Sequence, residues 1–277
     1  MKIDSHQHFW HYSPETHPWI NDQMHILKRD YLPPDLQIEM AKTGFDGCVA
    51  VQASQSEAET TFLLELAERY TFIRGVVGWV DLRAENIEDR LAHFSGFDKL
   101  CGVRHVLHDE PDEQFILGKD FMRGIGFLRR LNLTYDILIF PNHLPYAIQF
   151  VSQFPDQPFV IDHIAKPYIK DGRIDDWARE IRNIATFPNV HCKLSGMVTE
   201  ADLRNWQPSD FTPYLDIVLN AFGADRLMIG SDWPVCRLAG EYPAVMKIVE
   251  NYISQLSQNE QTAILGKNAQ EFYQMQL

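Results

Sequence analysis

Two histidines one residue apart, His6 and His8 in Asp4-Ser5-His6-Gln7-His8, are the sharpest chemical signal in the sequence. On an extended strand, residues two apart point to the same side, so both imidazoles would enter one space about 7 Å apart along the chain. Two convergent imidazoles suit a borderline metal such as zinc, although buried histidines bonded to backbone share that spacing. His163 in Ile-Asp-His-Ile-Ala-Lys-Pro and Asp232 in Gly-Ser-Asp-Trp-Pro each follow an apolar run further along. Three imidazole nitrogens and one carboxylate oxygen can hold one divalent ion and leave a position open for water. No thiolate and no second carboxylate-rich shell stands beside them. We therefore expect one zinc ion on His6, His8, His163 and Asp232, held weakly enough to be partly lost.

Asp232 cannot be both a tight ligand and a free base, so it should bridge metal and water or touch only the water. Beside the Trp233 indole its carboxylate should be partly desolvated, which raises its pKa and its basicity toward a water molecule. A turn-capping aspartate has the same surroundings. Asp232, His163 and Arg104 are the candidate catalytic groups. Arg104 can hold an anion or a carbonyl, or sit in an ion pair, and alternation does not say whether it or His105 faces inward. Lys193, between Cys192 and Leu194, is costly to bury alone and should meet a substrate oxygen or an acidic partner. Trp10, Gln52, His105, Tyr135, Lys193 and Trp233 complete the set of expected substrate contacts. Aromatic faces can stack on a sugar, and they can equally pack beneath long loops.

Something must bring these scattered residues together. Eight short apolar runs, rich in β-branched residues, recur along the chain: Lys2–Phe9, Gly47–Ser54, Phe72–Asp81, Leu100–Leu107, Leu133–Phe140, Pro158–His163, Asn189–Ser195 and Arg226–Ser231. They are continuous rather than alternating, as in strands of a parallel sheet buried on both faces. Amphipathic stretches with helical spacing separate them: Asp35–Thr43, Glu57–Tyr70, Glu85–Phe97, Lys119–Asn132, Leu144–Phe154, Ile174–Thr186, Phe211–Phe222 and Tyr242–Leu256. A last one, Glu260–Tyr273, follows Asn259 as a plausible cap. Strand then helix, eight times, predicts a (β/α)8 TIM barrel forming one domain over residues 1–277, with catalytic groups at the C-terminal strand ends. An open doubly wound sheet is the runner-up, weakened by the absence of a GxGxxG or GxxxxGK[ST] loop after the first strand.

The charge balance, 25 Lys plus Arg against 38 Asp plus Glu, gives −13 and argues against nucleic acid or an anionic membrane as partner. No window approaches 18 uncharged apolar residues, and the N-terminus has no apolar export signal. Cys48, Cys101, Cys192 and Cys236 form no CxxC pair and read as reduced core thiols, so a cytoplasmic location is expected.

These motifs together resemble the amidohydrolase superfamily, and within it the amidohydrolase 2 group of sugar-acid lactonases. The resemblance is carried by Asp4 through Trp10, Gly102-Val103-Arg104-His105, Ile161 through Pro167, Lys193-Leu194-Ser195-Gly196, Gly230 through Pro234 and Gly266-Lys267-Asn268-Ala269. It implies a barrel that hydrolyses the cyclic ester of an aldonic acid, of the L-fucono or L-rhamnono kind. It further implies that His6, His8 and His163 surround the metal or lactone carbonyl, Asp232 takes the proton from water, and Arg104 and Lys193 hold oxygens. Strand 5 carries Tyr135-Asp136 where many relatives place a histidine, and strand 4 has no bridging lysine, so a two-metal centre is not expected. Two other readings remain: a metal-dependent decarboxylase of a small acid on the same barrel, and a non-catalytic sugar-binding barrel. Retention of the whole His/Asp set disfavours the last.

Overall fold

All eight apolar runs form strands in the computed structural model, which describes residues 1–276. They are β1 (Ile3–Gln7), β2 (Gly47–Val51), β3 (Ile73–Gly78), β4 (Leu100–Val106), β5 (Thr134–Leu138), β6 (Phe159–Ile161), β7 (Val190–Leu194) and β8 (Leu227–Ile229). Each pairs in parallel with the next in sequence order. The eight helices between and after them are α1 (Pro33–Thr43), α2 (Glu57–Arg69), α3 (Ile87–Ser95), α4 (Lys119–Ile125), α5 (Leu144–Ser152), α6 (Asp175–Ile184), α7 (Pro208–Phe222) and α8 (Tyr242–Ile253). This is the expected (β/α)8 barrel. No helix among the described residues is long and apolar enough to cross a membrane.

The seam between β8 and β1 closes through specific polar contacts. Asp232 donates its amide to His6 O at 2.8 Å, and His8 donates to Trp233 O at 2.7 Å. Below them the Asp4 carboxylate accepts from the Ser231 amide and hydroxyl, at 2.9 and 2.6 Å. Burial pushes the Asp4 carboxyl up to about 6, against the downward pull of those Ser231 bonds. The residues that join the first strand to the last are thus immediate neighbours of the histidines and of Asp232.

Alternation along the strands sorts the core into two parts. Cys48, Ala50, Phe159, Ile161, Leu227 and Ile229 face the helices. Their neighbours Val49, Val51, Val160 and Met228 face inward with Ile3 and Val77, and meet Ala269, Phe272, Tyr273 and Met275 from the end of the chain. That terminal segment fills the floor of the barrel, opposite the C-terminal ends of the strands. It is not the single helix expected over Glu260–Tyr273. Ser257, rather than Asn259, caps α9 (Gln258–Thr262), and the chain then turns widely before α10 (Asn268–Phe272). Gly266 lies in that turn against β1, where a Cβ would sit 2.4 Å from Met1 O.

Two other boundaries differ from expectation. The helix expected over Lys119–Asn132 ends at Ile125, where Gly124 packs so closely on Leu82 that its Cβ would lie 2.1 Å from the Leu82 carbonyl oxygen. Helix α7 starts at Pro208, a residue suited to the first turn, and not at Phe211.

Candidate active site

The C-terminal ends of β1, β4, β5, β6, β7 and β8 converge on one cluster of ionisable side chains. From β1, His6 and His8 both point inward, while Gln7 between them turns toward Cys48 and the helices. His8 donates Nδ1–H to Val51 O at 2.8 Å, which turns its Nε2 toward Asp232 Oδ1 at 3.3 Å. His163 has Nδ1 2.9 Å from Ser195 Oγ and Nε2 3.8 Å from the same carboxylate oxygen. His6 Nε2 lies 3.9 Å from it. One buried carboxylate oxygen therefore faces three imidazole nitrogens.

Lone pairs that face each other across 3–4 Å repel unless a cation or proton stands between them. Burial, the largest effect, pushes the His6 and His163 imidazoles well below their ordinary pKa, so both are neutral near pH 7. His6, His8 and Asp232 offer ligand atoms within 4.8 Å of one another. The set fits a divalent metal ion. A second grouping, His6, Asp162 and His163, meets the same distance test, but cations of the protein already occupy its carboxylate. Asp162 Oδ2 accepts from Arg104 Nη1 at 2.9 Å, and Lys193 Nζ lies 3.0 Å from Oδ1.

Beneath the histidines lies a fully buried charge network. Lys193 Nζ donates to Asp136 Oδ2 at 2.6 Å and lies 3.1 Å from His6 Nδ1. Tyr273, rising from the floor, donates its hydroxyl to the same Asp136 oxygen at 2.8 Å. Two cations, Arg104 and Lys193, pair with two carboxylates, Asp136 and Asp162, and neither of them pairs with Asp232. Burial opposes ionisation of Asp162, but Lys193, His6 and Arg104 outweigh it and hold the carboxyl well below the usual range. Asp136 is pushed up to about 6, by burial first and by Asp162, against the pull of Lys193. Asp136 and Asp162 thus lie next to the histidines, with an ammonium and a guanidinium where a second ion would have to sit.

Backbone strain gathers at the same place. His163, Ile164, Ala165 and Lys166 have φ of 54°, 48°, 59° and 47°, a left-handed turn of four non-glycine residues, and Asp232 has φ 57°. Each such residue costs about 1–2 kcal/mol, and such strain collects at functional sites. Packing secures the turn: the Trp177 indole donates to Ile164 O at 2.8 Å. Gly196, at φ 60°, passes so close that a Cβ would lie 2.4 Å from His163 Nδ1. Gly196→Ala should therefore displace the imidazole and lower bound metal and kcat together, by about 10-fold or more. Metal analysis alongside kinetics checks this, and a variant that keeps full metal and rate would contradict it.

Several expected substrate contacts have other places. Tyr135 faces outward, packed on Phe121, Phe150 and Phe159, because alternation on β5 turns Asp136 inward. His105 also faces outward, between the Trp79 indole N–H and Glu110, stacked on Phe115, so Arg104 is the inward residue of the pair. Arg104 grips Asp162 and the Gln52 backbone carbonyl. Gln52 in turn donates to Arg104 O, so both are committed to the protein. Lys193 takes acidic partners rather than a substrate oxygen, since no solvent reaches it. Trp233 packs on Phe9 and Tyr31. Trp10 stays beside His8, ring centres 6.5 Å apart, in an aromatic wall with His17, Trp19 and Tyr31. The Asp232 carboxyl lies below its ordinary pKa and not above it: burial raises it, but His163 and the His8 contact outweigh that effect. Asp136, Asp162, Ser195 and Tyr273 carry weight that the sequence did not assign them. For Asp162 the signal was present, as the residue beside His163 at a strand end.

The amidohydrolase family profile matches residues 3–275. The chain is 43% identical to an L-fucono-1,5-lactonase of Burkholderia multivorans, covering 99% of this chain and 96% of that protein. It is 36% identical to the L-fucono-1,5-lactonase of Burkholderia ambifaria over the same shares of the two chains. Among solved structures, an amidohydrolase from Burkholderia multivorans with bound zinc superposes with a TM-score of 0.96 at 43% identity, each chain covered completely.

Proposed function

The chain belongs to the amidohydrolase family, and on that premise we propose that it hydrolyses the cyclic ester of a sugar acid, an aldono-1,5-lactone of the L-fucono type. The observation that carries the reading is the single buried Asp232 oxygen facing three imidazole Nε2 atoms at 3.3, 3.8 and 3.9 Å. His6, His8 and His163 through Nε2, with Asp232, would hold one zinc ion. When bound, zinc supplies Lewis-acid polarisation of the lactone carbonyl and lowers the pKa of water.

This chain's own groups do the rest. Asp232 accepts the proton of the attacking water and returns it to the departing ring oxygen, which leaves an open hydroxy acid. Val51 O fixes the tautomer of His8, and Ser195 Oγ anchors the His163 ring at Nδ1, so both rings are held with Nε2 toward Asp232. Asp162 Oδ1, 3.2 Å from His6 Nδ1, holds the opposite side of the His6 ring, and Arg104 holds Asp162 in turn. The buried, unpaired thiols of Cys48, Cys101, Cys192 and Cys236 suit a reducing, cytoplasmic setting.

A pH-indicator assay on a panel of aldonolactones tests the reading. Opening of at least one lactone well above background is expected. Release of CO2 from small acids, with no lactone opened, would replace it with a decarboxylase. Dialysis against a chelator should lower bound metal and kcat in proportion, and His6→Ala or His8→Ala should each cut metal content at least about 10-fold in affinity. Full activity in protein that elemental analysis finds metal-free would remove zinc from the mechanism.

A further inference from the structure

The turn that delivers His163 carries a second charged side chain that the chemistry above does not use. Lys166 ends the left-handed run at φ 47° and ψ 58°, immediately before Pro167. A proline crowds the preceding residue out of helical conformations, so Lys166 is held where its own backbone disfavours it. The run beyond His163 serves to fold the chain back, and what it brings back is the Lys166 ammonium.

That ammonium lies 2.5 Å from Glu200 Oε1, and the two side chains are 14% and 15% exposed. They are too covered for a solvated surface pair and too open for a core pair. Glu200 ends the short turn Val198–Glu200, which begins two residues after Gly196, itself packed against His163. Thr199 Oγ1 donates to Gly196 O at 2.9 Å and lies 3.3 Å from Glu200 Oε1. The Phe140 ring, just past β5, has its centre 5.8 Å from Lys166 Nζ. Chain segments after β5, β6 and β7 thus meet at one charged pair next to the metal-binding group.

An ammonium beside a carboxylate presents a donor next to an acceptor. An alcohol is the matching ligand, because one hydroxyl accepts from the first and donates to the second. The ester group of a lactone has no such donor, so the pair would read the hydroxyls of the ring and not its carbonyl. We propose that Lys166 and Glu200 form a hydroxyl-recognition subsite that selects polyhydroxylated lactones over unsubstituted ones. This rests on the reading of the neighbouring site as a lactonase.

The test compares kcat/KM for L-fucono-1,5-lactone and for unsubstituted δ-valerolactone in the parent protein, Lys166→Met and Glu200→Gln. The parent should prefer the hydroxylated ring. Each variant should lower the ratio of the two kcat/KM values by about 10- to 100-fold, mainly through KM for the hydroxylated ring. A ratio that stays fixed, whether both rates fall together or neither falls, would reduce the pair to a staple between loops and overturn the proposal. A parent with no preference would overturn it as well. If the parent opens both lactones and only the ratio fails to respond, this proposal alone is lost. If it opens neither, the lactonase reading is lost and the subsite with it.

Discussion

Replacing Asp232 with asparagine is expected to lower kcat for lactone opening by about 10³-fold while the unfolding midpoint stays near that of the parent. Asparagine has the same shape and tolerates the left-handed backbone at φ 57°. Its amide N–H can still donate to His6 O, so the seam between β8 and β1 persists. What it lacks is a site for a proton, and a carboxamide cannot serve as base. It is also a poorer metal ligand, so metal content should fall too. Saturating the assay with zinc separates the two effects: restored metal with kcat still down assigns the loss to the missing base. A variant that keeps more than a tenth of the parent kcat at full metal would move the base elsewhere.

The second large effect is expected at Lys193. Lys193→Met keeps the length and apolar stem but removes the ammonium that touches Asp136, Asp162 and His6. Breaking a buried pair from one side costs about 3–5 kcal/mol, because the abandoned carboxylate has no solvent to turn to. Chemical denaturation should show that loss, and kcat should fall as the His6 ring loses its support. The damage should depend on pH in a definite direction. The Asp136 carboxyl already sits at about 6 in the folded protein, and without Lys193 it rises further. A folded state that binds a proton the unfolded chain has released gains stability as pH falls. The destabilisation should therefore be smaller at pH 5 than at pH 8. Equal losses at both pH values would show that Asp136 does not feel the missing charge.

The barrel was readable because its strands are buried on both faces and so are written as unbroken apolar runs. The same property hid where strands end. Each run continues past its strand into residues such as Asp162-His163 and Ser231, which stay buried after the hydrogen-bond ladder has stopped. The convergence of His6 and His8 was legible because they keep the two-residue period of a strand. Direction was harder where a single step decides it. Tyr135 and Asp136, or Arg104 and His105, exchange places with one change of phase, and no neighbouring charge in the sequence fixes the phase. The ammonium–carboxylate network joins residues 6, 104, 136, 162 and 193, contacts set only by closure of the barrel. The opposite sign of the Asp232 shift has the same origin, since the imidazoles that lower it come from distant strands.

The barrel's floor ties its two ends together. Phe272, Tyr273 and Met275 follow all eight strands in the chain, yet they pack against the inward side chains of those strands. One of them, Tyr273, reaches up to the Asp136 carboxylate, which in turn holds the Lys193 ammonium beneath His6. The electrostatics at the upper end of the barrel therefore depend on a plug packed into the lower one, far from any substrate.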